Sequence, residues 1–111
     1  MKKYNNISIK KILLAAGCSK RYGDKNKLTE NFKGKHLIQH IIHTLLKVFD
    51  PCELLVILGH DSKVIKELID NKDIRIVNNK KYKNGIGTSI SLSIQHLDIN
   101  ILGVMIIPAD M

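Results

Sequence analysis

The stretch LAAGCSKRYGDKNKL, residues Leu14 to Leu28, decides how this chain is read. It grows out of an apolar run, Ile12 to Ala16, which is too short for a helix and is closed by Gly17. That pattern predicts a buried strand breaking into a loop. The loop has the composition of an anion site. Gly17 and Gly23 allow the backbone to turn with its N–H groups inward, while Ser19, Arg21, Lys25 and Lys27 add a hydroxyl and three cations. A triphosphate matches that chemistry.

Two familiar phosphate loops do not fit. A Walker loop needs four residues between its glycines and then Lys with Ser or Thr, whereas Gly17 and Gly23 enclose five and Asp24 follows. The dinucleotide fingerprint lacks its middle glycine. The stretch instead resembles the signature of the nucleotidyltransferase superfamily of Rossmann-like fold, a first strand running into L-A-A-G-x-S-x-R-x-G and then a lysine before Leu. Leu14, Ala15, Ala16, Gly17, Ser19, Arg21, Gly23, Lys27 and Leu28 fill every one of those positions. The ending Asn26-Lys27-Leu28 is closer to the branch of molybdenum cofactor cytidylyltransferase than to the isoprenoid or sugar branches, which usually place Pro before the lysine.

Lys2, Lys3, Lys10 and Lys11 before an apolar run ending at Cys18 also suggest a bacterial lipoprotein signal. A secretory apolar core needs about 7 to 15 residues, and Lys10 and Lys11 cut this one short. The chain of 111 residues is one domain at most, and no apolar stretch is long enough to span a membrane. Its net charge of +8 rests almost wholly on lysine, with Arg21 and Arg75 the only arginines. Together with the abundance of Ile and Asn this reads as compositional bias, so no nucleic-acid partner is expected from charge alone. Cys18 and Cys52 have no metal-ligand spacing and point to a reducing cytoplasm.

Farther along, Phe32 to Lys35 reads as a turn and Leu37 to Val48 as a helix whose apolar face carries Leu37, Ile38, Ile41, Ile42, Leu45, Leu46 and Phe49. Asp50-Pro51 ends it. His36, His40 and His43 share a face that could in principle hold zinc, but it lies opposite the apolar one and reads as solvated surface. Glu53 to Leu58 is a strand covered on both faces. Asp61 is expected to cap a helix that buries Val64, Ile65, Leu68 and Ile69. Ile74 to Val77 is a third strand, nearer the sheet edge. Leu102 to Ile107 is the fourth. The predicted fold class is α/β: a three-layer, Rossmann-like, mostly parallel sheet that looks truncated after its fourth strand.

The segment NKKYKNGIGTSI, Asn79 to Ile90, resembles a second motif of the cytidylyltransferase branch through Asn79, Tyr82, Gly85, Ile86 and Ser89, with Lys80 where Pro is usual. Gly85 and Gly87 would let backbone approach a ligand, and Thr88 or Ser89 would cap the following helix. Ile90, Leu92 and Ile94 alternate as a strand would, but Ile86, Ile90, Ile94 and Leu97 also keep the helical period, and a helix is expected. Pro108-Ala109-Asp110-Met111 falls at the carboxyl end of the last strand, where open α/β sheets bind ligands.

The resemblance implies an enzyme that transfers a nucleoside monophosphate from a nucleoside triphosphate to a phosphorylated acceptor such as molybdopterin, releasing pyrophosphate. In it Arg21 and Lys27 carry catalysis. Leu14, Ala15, Ala16, Gly17, Ser19, Gly23, Asn79, Gly85 and Ser89 bind the nucleotide, and Asp110 holds Mg²⁺. Ala16, where the guanine-specific branch has Gly, points to CTP. Residues 1–111 would then be the nucleotide-binding half of the domain, with a complementing chain as a further expected partner. Two other readings stay open: a non-catalytic module that binds a nucleotide or a partner, and a transferase acting on a sugar or alcohol phosphate.

Overall fold

The fold was determined as a computed structural model, which describes residues 8–16, 31–32, 34–97 and 101–109. Four parallel strands form the main sheet: β1 (Ser8–Ala15), β4 (Leu54–Leu58), β5 (Arg75–Asn78) and β6 (Ile101–Pro108). Between β1 and β4 lie a two-stranded antiparallel ribbon, β2 (Asn31–Phe32) with β3 (Lys35–His36), and helix α1 (Leu37–Leu46). Helix α2 (Ser62–Leu68) links β4 to β5, and α3 (Ile86–Gln95) links β5 to β6. The strand order is β5-β4-β1-β6. The chain therefore winds outward from β1 through β4 to β5, then returns to the other side of β1.

That order gives three layers. On one face Leu13, Ala15, Leu54, Val56 and Leu58 pack with Ile38 and Ile42 of α1 and Ile65 of α2. On the other, Ile12, Leu14, Ala16, Leu55 and Ile57 pack with Ile90, Leu97 and Tyr82. All five residues of β4 are buried, as expected for a strand covered on both sides. β5 is at an edge, in line with its sequence.

β1 is longer than the apolar run that announces it, because Lys10 and Lys11 belong to the strand. Both lie near the amino ends of the strands and reach across to the connection before β4. Lys10 Nζ donates to the Cys52 carbonyl at 3.0 Å. Lys11 Nζ pairs with Glu53 Oε1 at 2.6 Å and sits 4.7 Å from the centre of the Phe49 ring. The aliphatic stems cover apolar surface while the ammonium groups find partners, so two lysines are tolerated in a central strand.

Three expectations need correction. Asp61 precedes α2 but does not cap it with its side chain; its backbone is left-handed, with φ 56°, and its carboxylate turns to His60. Val64 is 50% exposed and Leu68 half-buried, so α2 buries Ile65, with Ile69 buried just past its end. In α3 the period held but the face turned: Ser89 and Ser93 are buried while Ile86 and Ile94 are exposed. Serine is small enough to bring the helix close to the sheet, and each hydroxyl is bonded, Ser93 to the Ile90 carbonyl at 2.7 Å and Ser89 to Asn79.

Candidate functional site

The strand order reverses at β1, so the crevice that such sheets use for ligands opens at the carboxyl ends of β1 and β6. Leu14, Ala15 and Ala16 are buried there, between β4 on one side and β6 on the other. Ala109 closes the far wall, its N–H donating to the Leu14 carbonyl at 3.1 Å. Gly17, Ser19, Arg21, Gly23, Lys27 and Asp110 lie outside the described residues. Among the described residues no three His, Cys, Asp or Glu side chains gather as a metal site.

The second expected group, Asn79, Gly85 and Ser89, is brought together at the carboxyl end of β5. Asn79 is 3% exposed and its side chain is fully used. Its amide nitrogen donates to Ser89 Oγ at 2.8 Å and Thr88 Oγ1 at 2.9 Å, and its amide oxygen accepts the Lys81 N–H at 2.9 Å. Thr88 Oγ1 lies 3.0 Å from the Lys81 carbonyl and 2.7 Å from the Gly85 carbonyl. A short 3₁₀ turn, Tyr82–Asn84, delivers the chain to Gly85, whose φ of 109° is a conformation that L side chains rarely adopt. Gly85 is the residue that precedes α3, so Thr88 and Ser89 stand inside the first turns and do not cap the helix as the sequence suggested. Asn79 is thus the clasp of this segment: it ties β5 to the start of α3.

Gly59 and His60 also belong to this end of the sheet, and sequence reading passed over them. The His60 N–H donates to the Ala16 carbonyl at 3.1 Å, and the imidazole faces the Tyr82 hydroxyl. The signal available was the Gly-His pair closing an apolar strand, which is too common to single out. A cleft of about 480 Å³ runs along α3 beside Asn78, Lys80 and Lys81, lined also by Thr88, Ser91 and Gln95. Among the described residues its walls carry two lysines and no carboxylate.

Residues 11–111 match the MobA-like NTP transferase domain. The chain belongs to that family. Among relatives of the NTP transferase domain, it is 30% identical over 79 residues to the bifunctional protein GlmU of Koribacter versatilis, covering 70% of this chain and 17% of that protein. It is 31% identical over 78 residues to nicotine blue oxidoreductase of Paenarthrobacter nicotinovorans, covering 70% of this chain and 38% of that one. The fold matches that of Rv0371c from Mycobacterium tuberculosis with a TM-score of 0.74 at 19% identity, over 95% of this chain and 52% of the other. A nucleotidyl transferase from Methanothermobacter gives 0.72 at 19% identity, over 93% and 50%. A second Rv0371c structure, a manganese complex, gives 0.65 at 16% identity. The α/β, Rossmann-like class expected from the sequence is therefore the observed one. The chain spans about half the length of these solved proteins.

Proposed function

We propose that this chain supplies the nucleotide-binding half of a nucleotidyltransferase that moves CMP from CTP to a phosphorylated acceptor. The observation that carries this reading is the position of the signature: the glycine- and cation-rich segment follows Ala16, at the point where strand order reverses, in a chain whose NTP transferase match runs from residue 11 to 111. An acceptor phosphate oxygen attacks the α-phosphorus, the bond to the β-phosphate breaks, and pyrophosphate leaves. The acceptor is already ionised near neutral pH, since a phosphate monoester loses its second proton at about 6, so no general base is needed. The work left to the protein is alignment and charge neutralisation.

In this reading the backbone after Ala16 and Arg21 hold the β- and γ-phosphates, and Lys27 meets charge growing on the α-phosphate. Ala15, Ala16, Gly85 and Ser89 border base and ribose. A divalent cation, Mg²⁺ by preference, would be held by Asp110 and would offset phosphate charge. Molybdopterin is the acceptor that the sequence resemblance favours, and the cytosol is the compartment in which both substrates would be met. Because the chain spans only part of its relatives, a second reading is that it binds the nucleotide without turnover, waiting for a complementing chain.

Calorimetric titration with Mg-CTP tests the first reading. Arg21→Ala and Lys27→Ala should each weaken binding about tenfold to hundredfold, the equivalent of one charge-assisted contact, with the melting temperature unchanged. Arg21→Ala should lose discrimination between CTP and CMP, whereas Lys27→Ala should weaken both. Unchanged affinity in both variants would mean that the phosphates bind elsewhere. Pyrophosphate release from CTP and a phosphorylated pterin separates turnover from binding alone.

A further inference from the structure

The carboxyl end of β4 is pressed against two other segments at once. A Cβ on Gly59 would fall 2.5 and 2.7 Å from Cβ and Cγ of Tyr82 and 2.8 Å from the Ala16 carbonyl oxygen. Only glycine permits that approach. The next residue fastens it on both sides. The His60 N–H bonds the same Ala16 carbonyl, and His60 Nδ1 lies 3.4 Å from the Tyr82 hydroxyl, with ring centroids 5.9 Å apart at 52°. Asp61, in its left-handed conformation, sets a carboxylate oxygen 3.4 Å from His60 Nε2. Tyr82 in turn opens the turn that leads to Gly85, and its carbonyl accepts the Gly85 N–H at 3.2 Å. Contacts therefore run without a break from Ala16 through His60 and Tyr82 to Gly85.

We propose that His60 and Tyr82 are positioning residues for the nucleotide. They set the separation between the end of β1 and the start of α3, the two backbone segments that border base and ribose in the reading above, on which this inference rests. Neither needs to touch the nucleotide. Closing a turn after a buried strand does not by itself require a contact that excludes a Cβ, nor a histidine and a tyrosine side chain meeting across it. What such a contact does provide is a fixed distance between two loops that are far apart in sequence. A base slot bounded by backbone on both sides depends on that distance, because backbone groups cannot adjust by changing rotamer.

The test uses the whole chain and two probes, Mg-CTP and Mg-tripolyphosphate, titrated by calorimetry with a melting curve for each variant. Tripolyphosphate carries the phosphate chain without base or ribose, so it reports the segment after Ala16 alone. His60→Ala should lower CTP affinity about tenfold and leave tripolyphosphate affinity within about twofold. His60→Asn keeps a polar atom near the Nδ1 position and should restore most of the loss. Tyr82→Phe, which retains the packed ring, should fall between. Gly59→Ala should match or exceed His60→Ala; if it fails to fold, the His60 and Tyr82 variants decide, since they remove atoms and add none. A parallel fall for both probes with a lower melting temperature would reduce the His60–Tyr82 latch to a structural contact and overturn the proposal. So would unchanged CTP affinity in His60→Ala. If the unaltered chain binds neither probe, the nucleotide reading itself fails. Binding of tripolyphosphate with no CTP effect in any latch variant fails the latch alone.

Discussion

The two edges of the sheet are built in opposite ways. β5 is four residues long, with Arg75 and Asn78 exposed, Lys72 and Asp73 just before it, and the Asn79 clasp just after. A short, charged and tied edge is one that discourages further pairing. β6 is eight residues long and has no charged side chain from Ile101 to Pro108. Its outer side has no partner among the described strands, and Val104, Met105 and Ile106 are 41%, 44% and 36% exposed. Adjacent residues of a strand point to opposite faces, so this exposure means that both faces of β6 are thinly covered in its middle. In composition β6 is an interior strand, like β4; among the described strands its position is an edge.

The sharpest way to break the comparison is to make the same truncation at the centre and at the open edge. Ile57 in β4 is fully buried and Ile106 in β6 is not, although both are isoleucines in parallel strands. Ile57→Ala should cost about 2–5 kcal/mol in a urea melt, transfer and cavity terms together. Ile106→Ala should cost about 1 kcal/mol. Equal losses would mean that β6 is covered after all.

A smaller effect is expected at the tied edge. Asn79→Ala removes an amide that serves three partners, and the buried Ser89 hydroxyl loses its bond to it. The expected cost is about 1–3 kcal/mol, read by the same melt. If Asn79 serves only to steady the segment, hydrogen exchange should rise in 79–89 and stay low in β4.

The smallest effect on stability belongs to a charge placed on the open edge. Val104→Lys should move the melting free energy by about 0.5 kcal/mol or less. It should nonetheless suppress self-association, because a lysine on an edge strand blocks edge-to-edge pairing. Sedimentation velocity over a range of concentrations should show the unaltered chain associating and Val104→Lys remaining monomeric, with Arg75→Ala on the other edge behaving like the unaltered chain. Association that survives Val104→Lys would move the sticky surface elsewhere, to the exposed Ile86 and Ile94 of α3.

Local chemistry sufficed for much of this fold. The apolar run before Gly17, the uninterrupted Leu54–Leu58 and the 3.6 period of α1 each have their cause within a few residues, and so the main strands and helices and their order were legible in the chain itself, whereas α1 stops at Leu46, short of the Val48 and Asp50-Pro51 boundary expected, and the β2–β3 ribbon was read only as a turn. The same is true of the segment from Leu14 to Leu28, whose chemistry and resemblance both lie in consecutive residues. Tertiary structure decided what depends on distant partners. Asp61 carries a capping residue's side chain, yet the neighbouring imidazole claims its carboxylate. The face of α3 was set by how closely Ser89 and Ser93 let it approach the sheet and by Asn79 waiting ten residues upstream. Gly59 and His60 look unremarkable in line, and Tyr82 stands out only as part of a motif, because the contact that joins them spans 22 residues and exists only once β1, β4 and the turn after β5 are side by side. Periodicity reports which residues share a face; only packing decides what that face meets.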